Sequence, residues 1–385
     1  VTGVKQPQSA VARAPRGIVQ IALSLGGQLV PVPFVDLEVN NNTFYAADTF
    51  RVHLPVSGLP ATLTLEMLLA TQPDIYVECW AGFPSDPTSY TTGGLSRLIY
   101  GKADEVTWDM ATNAMEISGR DLSSIFIDNK TEQKYPNLTS SQIVAKLAAT
   151  AGLKANVVAT GTKVGKYYDV DHVRLQDDRT QWDLLTYLAR EEQYVVYVEG
   201  TTLNFIPQPK DSQTPYQFTY SPAPTLGGSI GLNAENIKIT HQKTLAKGVT
   251  VTVRSWNQNQ SKTFTKKATA SHVNSGLGKG GSGGSIKGSP QNYSYTIANL
   301  TPDQAQQKAN SLLAEISRHE IKAEIEGPAD NALSRTDVIQ ITGTGTVVDT
   351  QVFHIASIVR TLSMADGYKW KVEAKNHSPE STVTA

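Results

Sequence analysis

The sequence predicts a β-rich α+β fold: two related antiparallel β-barrel domains, a small α+β domain between them, and a helix-containing insertion in the second half. Three observations carry this expectation. Long stretches at both ends alternate apolar and polar residues with β-branched enrichment, as in GIVQIALSLGGQLVPVPFVDLEVN. Capped helical spacing is confined to the segment 121–215 and to one stretch just after residue 300. Finally, VTWDMATNAMEISGRD near the end of the first β stretch is echoed by RTLSMADGYKWKVEAKN near the end of the last. Each is a strand, a polar turn carrying Met-Ala, and a returning strand ending in charge, the mark of a duplicated unit.

The elements follow in order. Residues 1–16 are polar and expected to be mobile. Residues 17–120 read as the first barrel, with TFYAADTFRVHLP placing Phe44, Phe50 and Val52 on one period-two face. The meander continues through DIYVECWAGF, with turns at Pro84-Ser85-Asp86 and Ala111-Thr112-Asn113. The middle domain, 121–215, opens after Gly119-Arg120-Asp121. Its first helix has Ser140 as the cap, Ile143, Val144, Leu147 and Ala148 as the apolar face, and Gly152 as the stop. A second helix runs from about Thr180 to Glu192, and the hairpin YVVYVEGTTLNFIP turns at Glu199-Gly200, where Gly accepts positive φ. Residues 216–385 form the second barrel domain. It contains a Gly/Ser-rich loop, 274–289, and a helical insertion, 301–320, capped by Thr301 with Pro302 in its first turn.

Length and composition narrow the function. At 385 residues, two or three domains are expected. Hydrophobic residues make up 39% and charged residues 18%, as in soluble globular chains, and Ser, Thr, Asn and Gln supply the polar surface. The net charge of −1, with no Lys/Arg stripe, argues against a nucleic-acid-coating role. No apolar run reaches the ~20 residues that span a bilayer, and the N-terminus lacks the pattern of a signal peptide. Cys79 is the only cysteine, so an intrachain disulfide and a Cys-based metal site are ruled out; inside DIYVECWAGF it reads as a small buried hydrophobe.

Candidate chemistry is sparse. Glu191 and Glu192 are neighbours on a helix, so their side chains diverge by about 100° and do not face each other across a scissile bond. They read as a solvated helix end, while Trp182, Leu184, Leu185 and Leu188 read as packing onto the following hairpin. The seven histidines show no H-x-x-x-H spacing. GLGKGGSGG lacks the Ser/Thr of a phosphate loop, no G-x-S-x-G occurs, and the acidic positions Asp128, Asp169, Asp171, Asp177 and Asp178 match no calcium loop. No catalytic residue, cofactor or metal is expected.

These segments together resemble the baseplate hub proteins of contractile-tailed, Mu-like bacteriophages, the late-control D family, which is related to the N-terminal hub part of type VI secretion spike proteins. ADTFRVHLP resembles an early barrel strand of that family. GRDLSSIFIDN, with Gly119, Arg120, Asp121 and Asp128, resembles the entry to its middle domain. LTSSQIVAKLAATAGL is similar to its first helix. The most specific stretch is DRTQWDLLTYLAREEQYVVYVEGTTLNFIP, which carries Arg179, Trp182, Leu184, Leu185, Leu188, Arg190, Glu191 and Glu192. The closing strands from DVIQITG to VEAKN also look like the family's. One departure is LSRTDV, where Thr336 stands in place of a turn glycine.

The resemblance implies a structural virion protein of the tail baseplate, assembled in the host cytoplasm. It implies a homotrimeric symmetry adaptor joining a six-fold tail tube to a three-fold central spike, with wedge proteins outside. DNA would pass through the lumen without sequence-specific binding, and no membrane insertion is implied. The alternatives are a hub or spike component of a type VI-like injection system, which usually continues into a β-helical needle not seen here, and a tail-associated peptidoglycan hydrolase.

Overall fold

The computed structural model describes residues 5–7, 14–23, 28–70, 74–130, 135, 138–161, 180–222, 230–241, 249–257, 262–270, 291–297, 300, 302–317, 321–376 and 383–384. The first β unit contains β1 (Arg16–Leu23), β2 (Val30–Val32), β3 (Asp36–Asn42), β4 (Thr49–Pro55), the one-turn helix α1 (Leu65–Leu69), β5 (Ile75–Gly82), β6 (Ser96–Asp109) and β7 (Ala114–Asp121). Strand alternation is clear in β4, which buries Phe50, Val52 and Leu54. Phe44 does not join that face. It precedes the strand in the bend 43–46 and meets Tyr45 edge-on at 6.1 Å.

The middle unit holds α2 (Ser124–Asp128), α3 (Ser140–Thr150), β8 (Lys154–Val157), α4 (Gln181–Glu192), β9 (Tyr194–Glu199) and β10 (Thr202–Pro207). Its three strands form a small sheet in the order β8-β10-β9, and α3 and α4 bury one core against it. The cap of α3 is Thr139, one residue before the expected Ser140. Thr139 and Gln142 form a reciprocal capping box, which frees the Ser140 hydroxyl for a contact described below. The same device, Thr180 with Asp183, starts α4, and Gln193 in the left-handed region ends it. Gly200, at φ +59, turns the β9–β10 hairpin where expected.

The second half begins with β11 (Tyr216–Ser221), β12 (Gly231–Leu232), β13 (Asn236–His241), β14 (Val249–Asn257), β15 (Lys262–Ala270) and β16 (Gln291–Thr296). Then come α5 (Pro302–Ser317), β17 (Ile321–Pro328), β18 (Val338–Thr342), β19 (Val352–Ser363), β20 (Gly367–Asn376) and β21 (Val383–Thr384). Strands β16-β14-β15-β21 make a four-stranded sheet of their own. Helix α5 packs on it through Ala305, Ala309 and Leu313, the two alanines letting the helix come close to Val249, Val251 and Val253. The expected helical insertion is therefore one layer of a small α/β lobe. The Gly/Ser-rich loop 274–289 lies outside the described residues, as do Thr301 and His319.

The strands expected to form two barrels are hydrogen-bonded into one 14-stranded sheet, β12-β11-β18-β19-β3-β4-β7-β6-β5-β1-β2, with β20, β17 and β13 branching from β19. No closed barrel is formed by these pairings among the described residues. The join is β3 against β19, antiparallel from Asn42↔Ser357 to Asp36↔Ser363. A bulge between Ile355 and Ser357 makes β19 a corner. Before it the strand pairs with β18, and after it with β3, while β20 follows its whole length. One continuous hydrophobic core results, running from Val19, Val39, Phe50 and Ile117 to Tyr216, Phe353, Ile358 and Trp370. Lys5, within the segment expected to be mobile, pairs its backbone with Tyr216 and its ammonium with Asp337 at 2.8 Å.

Candidate assembly site at the junction of the units

The middle unit is held to the rest of the chain at three points, two on the large sheet and one on α5, and each uses a motif from the sequence. The first is Gly119-Arg120-Asp121, the last residues of β7. A Cβ on Gly119 would lie 2.8 Å from Ala103 Cα and closer still to the Lys102 carbonyl oxygen. Only glycine fits there, because β6 bulges between Ala103 and Glu105 against it. Arg120 forms a two-pronged bond to Asp104, Nε to Oδ2 at 2.7 Å and Nη2 to Oδ1 at 2.8 Å, and reaches Asp128 at the end of α2 at 3.2 Å. It thus clips α2 to β6, and its hydrogen bond to Asp104 is the main cause that raises its pKa.

Asp121 turns inward and is buried. It accepts hydrogen bonds from the backbone N–H and hydroxyl of Ser123, while its own N–H donates to the Asp48 carbonyl at 3.0 Å. Next to it, Asp48 forms a two-pronged ion pair with Arg335 and accepts from the Asn42 N–H at 2.7 Å and Asn41 Nδ2 at 2.9 Å. Arg335 also lies over the Tyr197 ring of β9 at 4.6 Å. Burial, then the neighbouring Asp48 carboxylate, pushes the Asp121 pKa up to about 8. The cluster brings together the β4 approach, the β7 exit, the middle hairpin and the 334–337 turn, four segments distant in sequence.

The second point is α4 on Tyr45. Trp182 donates from Nε1 to the Tyr45 carbonyl at 3.0 Å, Arg190 lies over the Tyr45 ring at 4.7 Å, and the Tyr45 hydroxyl donates to the Tyr194 carbonyl at 3.3 Å. Tyr45 sits at φ +60, a conformation disfavoured for a bulky residue, and these three contacts over-determine it. Leu184, Leu185 and Leu188 are buried in the middle-unit core with Val196, Leu203 and Phe205, so they do pack onto the hairpin. Trp182 belongs to that core as well, but its polar end faces the first β unit. Arg179 lies outside the described residues.

The third point corrects the reading of Glu191 and Glu192 as a solvated helix end. Glu191 forms an ion pair with Lys308 of α5, and its carbonyl accepts from Gln307 at 3.4 Å. Glu192 accepts from the Ser140 hydroxyl of α3 at 2.6 Å. The divergence of adjacent helix positions is what lets neighbouring carboxylates reach two different helices.

Thr336, where the turn glycine was missing, causes no strain. Asp337 accepts from the Ser334 N–H at 2.9 Å and closes the turn without positive φ. Sequence reasoning missed Tyr45, Asp48, Tyr197, Arg335 and Arg360. Asp48 sits in the Ala-Asp pair and Arg335 in LSRTDV, both of which had attracted notice, but nothing local marks them as partners. Cys79 is fully buried, which raises its thiol pKa. Among the described residues no group of three His, Cys, Asp or Glu is arranged to hold a metal ion.

No protein-family model matches the chain. No curated protein matches its sequence either. Solved structures do match the fold over nearly its whole length. The tail protein from Neisseria meningitidis MC58 superposes with a TM-score of 0.63 at 14% identity, covering 93% of this chain and 96% of that one. The 43 kDa tail protein of prophage MuSo2 from Shewanella oneidensis gives 0.58 at 13%, covering 93% and 98%. An E. coli type VI secretion component, described as structurally similar to T4 bacteriophage tail proteins, gives 0.50 at 10%, covering 95% and 79%. The chain has the fold of these tail and secretion proteins, in agreement with the resemblance drawn from its sequence.

Proposed function

We propose that this chain is a structural hub of a contractile tail, working in the baseplate as a homotrimer between the tail tube and the central spike. The observation that carries this reading is the match in fold over 93% of this chain and 96% of the tail protein from Neisseria meningitidis MC58. Similar hairpins, β6–β7 and β19–β20, recur in the two halves. In the proposed ring each half supplies one barrel-like wall, so that three copies present six related surfaces to a six-fold tube. The junction fits mechanical work. Several of its charged groups are spent on one another, in Arg120 with Asp104 and Asp128, Asp48 with Arg335, and Glu191 with Lys308.

Tube, spike and wedge proteins are the proposed partners, and DNA is proposed to pass through the lumen, which the near-zero net charge of −1 permits. The fold match to a type VI secretion component favours one alternative, a hub of a type VI-like injection system. Light scattering of the purified protein, alone and with the spike protein of the same gene cluster, tests the proposal. Three copies per complex are expected. A monomer that stays monomeric at high concentration and binds neither spike nor tube protein would count against it. Clearing of peptidoglycan in a zymogram, lost on Glu191→Gln, would establish an enzyme instead.

A further inference from the structure

Beside the Asp48–Arg335 pair lies a polar cavity of about 180 Å³, walled by Arg97, Arg335, Arg360, Asn331, Ser334 and Glu199 among others. A single water needs only about 10–15 Å³ by this measure, so there is room for a hydrated polyatomic ion. Two of the three guanidiniums have acidic partners: Arg97 donates to Glu78 at 3.1 Å, and Arg335 is paired with Asp48. Arg360 differs. It projects from the corner strand β19 and is only 7% exposed. Its Nη1 donates to Asn41 Oδ1 at 2.9 Å and its Nη2 to the Leu333 carbonyl at 2.7 Å, both neutral acceptors. Its Nε is buried without an acceptor among the described residues.

A buried guanidinium that meets only neutral acceptors, with most of its five N–H donors unspent, is costly. Burial is also the main cause that lowers the Arg360 pKa, opposite to the direction at Arg335, where the Asp48 carboxylate outweighs it. The buried carboxylates of Asp330 and Asp48 act on Arg360 from nearby, against the effect of burial. Glu199 stands at the exposed β9 end of the cavity wall. Its presence there limits the charge that the site accepts.

We propose that this cavity is a structural anion site that takes one small oxyanion, inorganic phosphate or a small carboxylate, between Arg360, Arg335 and Arg97. The bound oxyanion adds an acceptor and a negative charge beside the three guanidiniums that line the cavity. It ties β19 and the 331–335 segment to the start of β6 and the turn of the middle hairpin, the place where the units meet. This inference does not depend on the hub assignment, since it concerns a cavity within a single chain.

The test is thermal unfolding of the full chain after exhaustive exchange into buffer without phosphate or carboxylates, at constant ionic strength set with sodium chloride. Inorganic phosphate in one arm and acetate in another are titrated, and the half-saturating concentrations say which oxyanion class the site prefers. A saturable rise in Tm is expected in at least one arm, absent in Arg360→Gln. Should that variant fail to fold, Arg97→Gln at the cavity wall is expected to raise the half-saturating concentration about tenfold, the loss of one charge-assisted hydrogen bond. No saturable rise in either arm overturns the proposal. So does a rise left unchanged by Arg97→Gln and by any folded Arg360→Gln, since the anion would then bind elsewhere.

Discussion

Replacing Arg335 with Met strands a carboxylate. Asp48 is 3% exposed in its side chain and Arg335 10%, so water reaches neither well enough to take over the lost partner. Removing one member of a buried ion pair costs about 3–5 kcal/mol. Asp48 would keep its bonds from Asn41 Nδ2 and the Asn42 N–H, which favours the lower end. The lost stacking of Arg335 on Tyr197 adds about 1 kcal/mol. Arg335→Met is therefore expected to lower the unfolding free energy by about 4 kcal/mol. Asp48→Asn/Arg335→Met, with no charge left to strand, is expected to recover most of that loss. Urea unfolding of the four proteins of the double-mutant cycle at neutral pH measures the coupling. A cost below about 1 kcal/mol for Arg335→Met, or a double variant as unstable as the sum of the singles, would refute the reasoning.

Other perturbations have definite outcomes too. Asp121 has a folded-state pKa raised to about 8, so the native protein holds a proton that the unfolded chain releases near 3.8, and stability falls as pH rises between these values. Asp121→Asn should flatten that decline, which is at most about 1.4 kcal/mol per pH unit, in unfolding curves taken from pH 5 to 8. His53 bridges Asp36 and Glu116 at 2.7 Å on each side, and the hydrogen bond to Asp36, followed by the charges and Glu116, raises its pKa against the opposing effect of burial. Its stabilising contribution is complete below the usual 6.5 and lost as pH rises through the raised value; an NMR titration midpoint at or below 6.5 would show the bridge is not formed. Gly119→Ala should cost about 1–3 kcal/mol in urea unfolding, because the β6 bulge must move. Glu191→Gln should cost about 1 kcal/mol or less and loosen α5 in hydrogen exchange, whereas Glu192→Gln should loosen the start of α3 instead.

Local signals made the middle unit the most legible part of the chain. The leucine spacing of Leu184, Leu185 and Leu188, the capping residues and the turn at Gly200 are all short-range, and the structure follows them to within a residue. The α3 cap illustrates the limit: Thr139 and Ser140 are chemically alike, and only the demand of Glu192 for the Ser140 hydroxyl separates them. Pairings across the chain left no such trace. Strand periodicity says that β3 and β19 bury one face, but not that they pair with each other, and so the joined sheet was read as two separate barrels. Asp48 and Arg335 are 287 residues apart, and neither segment hints at the other's charge. The twin glutamates were misjudged for the same reason, since their partners lie on helices elsewhere in the sequence.

The proposed hub assignment meets its most direct test in a low-resolution reconstruction of the assembled tail particle with this chain labelled. Three copies are expected around the tail axis, between the spike and the first ring of tube subunits, with the β6–β7 and β19–β20 hairpins of each copy at matching heights. Six copies at the baseplate periphery, or no copies in the particle, would contradict the account.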